Sequence, residues 1–386
     1  MNFMENGITI YLKVIKLKIR GIESWREFFF YGFILCFIVA KAWGLTAGDD
    51  GYMILAMVGI VFWVATLYCM KFSQKEFIGI LVLMLIGGLS LLFSGKLGVI
   101  LPFLLISVSK GMEIEKVLRN STRIWIGVFV FKIFLVLTGS VQNTVINQRR
   151  IFSEGAERNS MGYGHPNLFH VTFFIGVALF CYTHKELHKK DYFSLFLLNL
   201  VVFRLSYSTT GLVLTALAIV GFALVEYIEK HCVNYLSLAV LGGVSCAIPM
   251  VASFLLAFIF RSDSRWWIRL NSFFTGRLNW NYLYVHLYSV PFLGQRFDER
   301  IPNLLDNAYL FILYRYGILV FGLFILGYVL VLAESVKKKQ IRKIFFCLLF
   351  LIYGFAEQFT QNCFMNFSMF FLCELMWKET KDNGTD

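Results

Sequence analysis

Long apolar runs, separated by short polar or glycine-rich breaks, recur along nearly the whole chain. They fall near 28–46, 52–70, 77–93, 97–109, 123–141, 166–182, 192–208, 210–228, 235–260, 306–332, 342–357 and 364–377. Most have the roughly 17–25 residues that a helix needs to cross a bilayer core. The runs are continuous and do not alternate with polar residues, which selects helices over a transmembrane β-barrel. The pattern predicts an all-α polytopic integral membrane protein of about 12 transmembrane helices, folded as a single membrane domain over 1–386. Two long polar intervals interrupt the rhythm, at 142–165 and 261–305.

Composition sharpens this picture. Of 386 residues, 58% are hydrophobic and 16% charged, against roughly 25% charged in soluble domains. A soluble fold is excluded. The net charge of +12 falls largely where the positive-inside rule wants it. Lys71, Lys75, Lys110, Lys116, Arg119, Lys185, Lys189, Lys190 and the 337–343 cluster lie in alternate breaks, with further basic residues in the first 27 positions. Both termini are therefore expected in the cytoplasm, with the chain multi-pass in the membrane. The first run reads as a retained signal anchor. The charge is absorbed by topology, so nucleic-acid binding is not expected. The eight cysteines sit almost entirely inside apolar runs and form no CxxC, which reads as core filling.

The two long intervals then lie on the outer face as extracytoplasmic loops, and their charge differs in kind. Their basic residues are Arg149, Arg150, Arg158, Arg261, Arg265, Arg269, Arg277, Arg296 and Arg300, with no Lys, although the chain as a whole has more Lys than Arg. Arg presents a rigid fork of donors that grips phosphate in a bidentate way. A pyrophosphate-binding surface would select for it. The second interval, SRWWIRLNSFFTGRLNWNYLYVHLY, is also aromatic, as expected of an amphipathic interfacial helix or of a wall that stacks on sugars. Arg265 and Arg269 would share one face of such a helix.

Polar residues gather at the outer helix ends. RNSMGYGHPNLFH, from Arg158 to His170, precedes and enters the sixth run. Gly162, Gly164 and Pro166 read as turn and helix-start punctuation, leaving Arg158, Tyr163, His165 and Asn167 as candidates. Arg204, Asp306, Asn307, Arg315 and Glu357 join them, because ionisable groups in membrane segments are costly and mark function. Lys132 is a further, less placed member. Asp49 and Asp50 lie in GDDG, which reads as a solvated turn with a possible base. No GxxxxGK[ST] or HExxH is present, so neither a P-loop nor a zincin is expected.

Taken in order, RNSMGYGHPN, YSTTGLVL, FFTGRL, VPFLGQRF and LLDNAYLFILYRYG resemble the motifs of Wzy-type polysaccharide polymerases, relatives of the O-antigen polymerases and ligases. The resemblance covers about 150–330. It implies a helical fold related to the GT-C glycosyltransferases. It further implies a metal-independent glycosyltransferase, without cofactor, that joins undecaprenyl-pyrophosphate-linked oligosaccharide units outside the membrane. A flippase and a chain-length regulator of the same pathway would be its partners. Arg158, His165 and Asn167 match the segment before the sixth helix, Arg277 the TGR element, and Asp306, Asn307 and Tyr309 the DNxY element. Many members carry an Arg where this chain has Ser208-Thr209-Thr210-Gly211; Arg204, one turn earlier, is expected to reach the same space.

The expected reaction is inverting transfer: a sugar hydroxyl attacks the anomeric carbon of the lipid-linked chain and the lipid pyrophosphate leaves. Arg158 and Arg277, with Arg204 and Arg315 behind them, would stabilise the leaving charge. His165 is the expected base, with Asp306, Glu357 and Asp49 as alternatives. Tyr163, Asn167, Arg269, Asn307 and Tyr309 complete the expected substrate contacts. Two rivals stand beside this reading: a ligase of the same superfamily, and a flippase or transporter, for which the chain lacks the expected internal repeat.

Overall fold

The computed structural model describes residues 23–147, 157–231, 236–261, 264–298, 300–301 and 305–377. Helices dominate. The first, α1, covers 23–42, followed by α2 (Asp50–Tyr68), α3 (Gln74–Ser94), α4 (Leu101–Val108) and α5 (Ile114–Leu137). Then come α6 (Pro166–Thr183), α7 (Lys189–Ser206), α8 (Thr209–His231), α9 (Leu236–Ser245) and α10 (Ile248–Ile259). Two shorter helices, α11 (Arg265–Phe273) and α12 (Arg277–Leu287), lead to α13 (Ala308–Phe311), α14 (Ile318–Lys337), α15 (Ile341–Ala356) and α16 (Leu372–Met376). Seven helical segments among the described residues are long and apolar enough to cross a membrane: α2, α3, α5, α6, α8, α9 with α10, and α14.

The bundle is inside-out relative to a soluble one. Large apolar side chains such as Met57 and Val61 on α2, Leu81 and Leu85 on α3, and Leu326 and Val329 on α14 are exposed. In water they would be a liability; in hydrocarbon, a helix that satisfies its own backbone can present them freely. α6 stands apart, with 78% of its span buried against 17% for α2. It is the central post, packed against α5, α7 and α8. Its approach to α8 is close because Gly211 has no side chain: a Cβ there would lie 2.3 Å from His170 Cγ. The buried His170 uses that contact, with Nδ1 3.0 Å from Ser206 Oγ on α7 and Nε2 3.0 Å from Asn199 Oδ1. The Asn199 amide in turn donates to the Leu212 carbonyl of α8. Small residues and shared hydrogen bonds are what hold helices together where no water drives association.

Several expected elements differ. The run near 123–141 is helical from Ile114, so the basic residues Lys116, Arg119 and Arg123 form its first turns. The run 235–260 breaks at Cys246–Ala247, with Pro249 opening α10. The run 306–332 is not one helix. After the single turn of α13 it widens into a π-turn over Ile312–Tyr316, and Gly317 has φ +92°. The cause is the preceding loop, whose Pro291 and Phe292 carbonyls accept from the amides of Ile318 and Leu319. A Cβ at Gly317 would sit 2.6 Å from the Phe292 carbonyl oxygen. The last run is a buried 3-10 turn, Phe367–Phe371, followed by the short α16. Asn366 pins it by donating to the Thr360 carbonyl and to Tyr328 Oη. The polar interval 142–165 also contains a small antiparallel hairpin, Val145–Asn147 against Glu157–Asn159, with Ile146 opposite Arg158.

Candidate functional site

Five stretches of sequence meet at one end of the bundle. The hairpin delivers Arg158, the start of α6 delivers His165 and Asn167, the start of α12 delivers Arg277, and the chain entering α13 delivers Asp306. The end of α15 adds Glu357. Arg277 is placed by the turn before it, where Thr275 and Gly276 both have positive φ. Residue 276 can adopt φ +86° without strain because it is glycine. The reversal leaves Arg277 as the first residue of α12, turned back toward the bundle.

Arg277 organises the cluster. Its Nε donates to Asp306 Oδ2 at 3.0 Å, its Nη2 to Glu357 Oε1 at 2.6 Å, and its Nη1 reaches Thr210 Oγ1 at 3.5 Å. Glu357 Oε1 also receives the Asn167 amide at 3.4 Å, and Asn167 Oδ1 accepts from Arg158 Nη2 at 2.8 Å. Arg158 Nε donates to the Ser206 carbonyl at 3.0 Å. The result is one continuous polar path, Arg158 to Asn167 to Glu357 to Arg277 to Asp306, spanning α6, α15 and α12. Burial opposes the charge on Arg277, and Glu357 and Asp306 more than restore it, holding the guanidinium above its ordinary range.

Exposure divides these residues. The Asp306 side chain is 32% exposed, Glu357 18% and Arg277 13%, whereas Arg158 is 0% exposed. Arg158 therefore cannot touch a ligand as the expectation had it; it stands behind Asn167 and fixes that amide. His165 is exposed and caps α6, its Nδ1 accepting from the Asn167 backbone amide at 3.1 Å. A ring nitrogen that accepts here leaves the neutral imidazole protonated at Nε2. In that tautomer the one basic ring nitrogen of His165 is already engaged in the cap.

Other candidates lie elsewhere. Asn307 is buried with its amide fully used: Oδ1 accepts from the Tyr309 and Leu310 amides, and Nδ2 donates to Ser253 Oγ and the Phe355 carbonyl. Tyr309 Oη donates to the Leu351 carbonyl. Both are internal pins of α13, buried away from substrate. Tyr163 is likewise interior, donating to the Ala42 carbonyl. Arg204 is exposed on α7 against Tyr207, and does not fill the place of the missing Arg. Thr210, from the same stretch, is the residue that meets Arg277, and only its motif position could have marked it. Arg269 is exposed on α11 and Arg315 lies against Phe297; neither is hydrogen-bonded to the cluster. Asp49 closes a turn, accepting from the Thr46 backbone and hydroxyl, which holds its carboxyl below the usual range.

Lys132 is a supporting residue that sequence alone left without a role. It is buried in α5, donates to the Trp43 carbonyl and lies 4.0 Å from the centroid of the Tyr163 ring. It clamps the turn that leads to His165 against the end of α1. The chain matches no family model, no curated protein and no solved structure.

Proposed function

We propose that this chain is a membrane glycosyltransferase that joins lipid-linked oligosaccharide units at the outer face of the bacterial cytoplasmic membrane, as a polysaccharide polymerase. In this reading α1, α4, α7, α15 and the C-terminal segment complete the seven long helices to about twelve membrane segments, with both termini cytoplasmic. The observation that carries the proposal is convergence. Arg158 and Asn167 of one motif, Arg277 of a second and Asp306 of a third are joined through Glu357 into one hydrogen-bonded path.

The chemistry follows from the partners of Arg277. In the resting cluster Arg277 is already paired with two carboxylates, Asp306 and Glu357. A pyrophosphate leaving group can therefore recruit Arg277 only as one carboxylate gives way. Asp306, the more exposed, is suited to this. The acceptor hydroxyl oxygen bonds to the anomeric carbon as the bond from that carbon to the pyrophosphate oxygen breaks. The hydroxyl proton passes to Asp306, whose charge is then cancelled, and Arg277 is released toward the departing pyrophosphate. Glu357 and Asn167 keep Arg277 in register.

The test is reconstitution in vesicles with an undecaprenyl-pyrophosphate-linked repeat unit, followed by sizing of the product. A ladder of lengths is expected, and Arg277→Ala should reduce its rate of formation roughly a hundredfold or more. A single addition would assign a ligase instead, and no extension with intact substrate would remove the polymerase reading.

A further inference from the structure

A second cationic group lies at the same end of the bundle, outside the cluster of Arg277. Arg315, in the π-turn, is only 8% exposed and its Nε has no hydrogen-bond partner. Its guanidinium sits 4.8 Å from the centroid of the Phe297 ring, and Tyr316, Arg296, Tyr288 and Tyr284 act on its charge. Arg296 is exposed and lies over Gly95, 3.3 Å from where a Cβ would be. Lys96 is next in the chain and also exposed. None of these three cations forms an ion pair among the described residues. A nearly buried guanidinium beside a second Arg, with no ion pair among the described residues, is costly unless an anion joins it.

Beginning at Tyr316, the residue after Arg315, an apolar groove of about 280 Å³ opens between α3, α4, α14 and α16. Val99 and Tyr316 line its upper end, Leu323 and Gly327 its middle, and Leu372 and Met376 its lower end. Along α14 it runs from Val320 to Leu330, roughly 15 Å at 1.5 Å per residue. That is about half of a hydrocarbon core of roughly 30 Å, the depth of one leaflet. The Tyr316 hydroxyl packs near Gly98, so the groove begins two or three residues from Lys96 and Gly95.

We propose that this groove and its three cations form a binding site for an anionic bilayer phospholipid. Its phosphate sits among Lys96, Arg296 and Arg315, and one acyl chain lies in the groove. Charge complementarity selects the head, and a one-leaflet length selects a bilayer lipid over a longer isoprenoid. The site is distinct from the proposed reaction centre and does not depend on it. It touches that centre through the chain, since the turn that carries Arg315 continues directly from α13 and Asp306. Occupancy would steady the entry to the cluster.

The test uses the full chain purified in dodecyl maltoside and titrated with dioleoyl phosphatidylglycerol, with thermal unfolding followed by tryptophan fluorescence. The lipid is expected to raise the unfolding midpoint. Arg296→Ala should weaken its apparent affinity about fivefold, Arg315→Met by more, and Leu323→Trp should block it. Lys75→Ala, at the opposite end of the bundle, should leave it intact. Dioleoylglycerol, which lacks the phosphate, and inorganic phosphate, which lacks the chains, should give no comparable shift. Arg296 is exposed, so its variant folds even if Arg315→Met does not. The proposal fails if Arg296→Ala binds as tightly as the parent chain, if dioleoylglycerol gives an equal shift, or if geranylgeranyl phosphate binds more tightly through the same residues. Each reading is of binding alone, so it stands or falls separately from glycosyl transfer.

Discussion

At the scale of single residues, a polar side chain in this bundle is assigned by what still remains unused on it. Asn307 and Asp306 are neighbours in one motif, yet Asn307 spends all four hydrogen-bonding positions inside the protein, while Asp306 keeps a third of its side chain exposed. Asn307→Ala should therefore act on stability, costing about 2 kcal/mol, measurable as a lower unfolding midpoint in detergent. Asp306→Asn removes the proposed proton acceptor but keeps the shape. It should slow glycosyl transfer roughly 10²- to 10⁴-fold with folding intact, whereas His165→Gln should cost much less. If His165→Gln were the more damaging in a rate assay, the base would return to the imidazole. Sequence marked all three positions, but it could not separate them, because the partners of each lie on other helices. The same blindness put Arg158 forward as a phosphate grip, when its guanidinium is wholly interior.

At the scale of elements, hydropathy located nearly every helix and misjudged those whose shape is imposed from outside. The π-turn and the break at Gly317 arise because residues 291–294 lie against the backbone there. That loop is distant in sequence and leaves no trace in local periodicity. The same holds for the C-terminal run, which is apolar enough to suggest a span but coils as a 3-10 turn around the Asn366 hydrogen bonds. Conversely, the glycine of YSTTGLVL was visible and its meaning was not. It permits α6 and α8 to touch at His170. Gly211→Val should force those helices apart and strand the His170, Ser206 and Asn199 contacts, destabilising the protein by about 3 kcal/mol. Because Thr210 is adjacent, the rate of transfer should fall in the same variant. A variant with normal melting and normal rate would show that the contact is dispensable.

At the scale of the whole molecule, the all-helical membrane class was legible from composition and run length alone, because a bilayer leaves a chain few alternatives. What was not legible was the rank of the helices, from those that line the lipid to the one that does not. α6 has the lowest hydropathy of the seven long helices, 1.4, and the largest buried share, 78%. Those two values have one cause: a helix surrounded by protein has no need to be soluble in lipid.

That ranking has a consequence for how the protein is made. Segments enter the membrane from the ribosome in order, and each must be acceptable to lipid or wait beside the translocation channel for a neighbour. α6 carries Pro166, Asn167, His170 and Thr172 in its first two turns, and two of its partners, α7 and α8, are synthesised after it. A chain truncated near residue 187 should leave α6 poorly integrated and open to protease or alkaline extraction, while one truncated near 231 should hold it firmly. If the shorter chain were equally resistant, α6 would insert on its own strength. Otherwise polar residues at the start of α6, Asn167 of the cluster among them, also set the moment in synthesis at which the central post becomes part of the membrane.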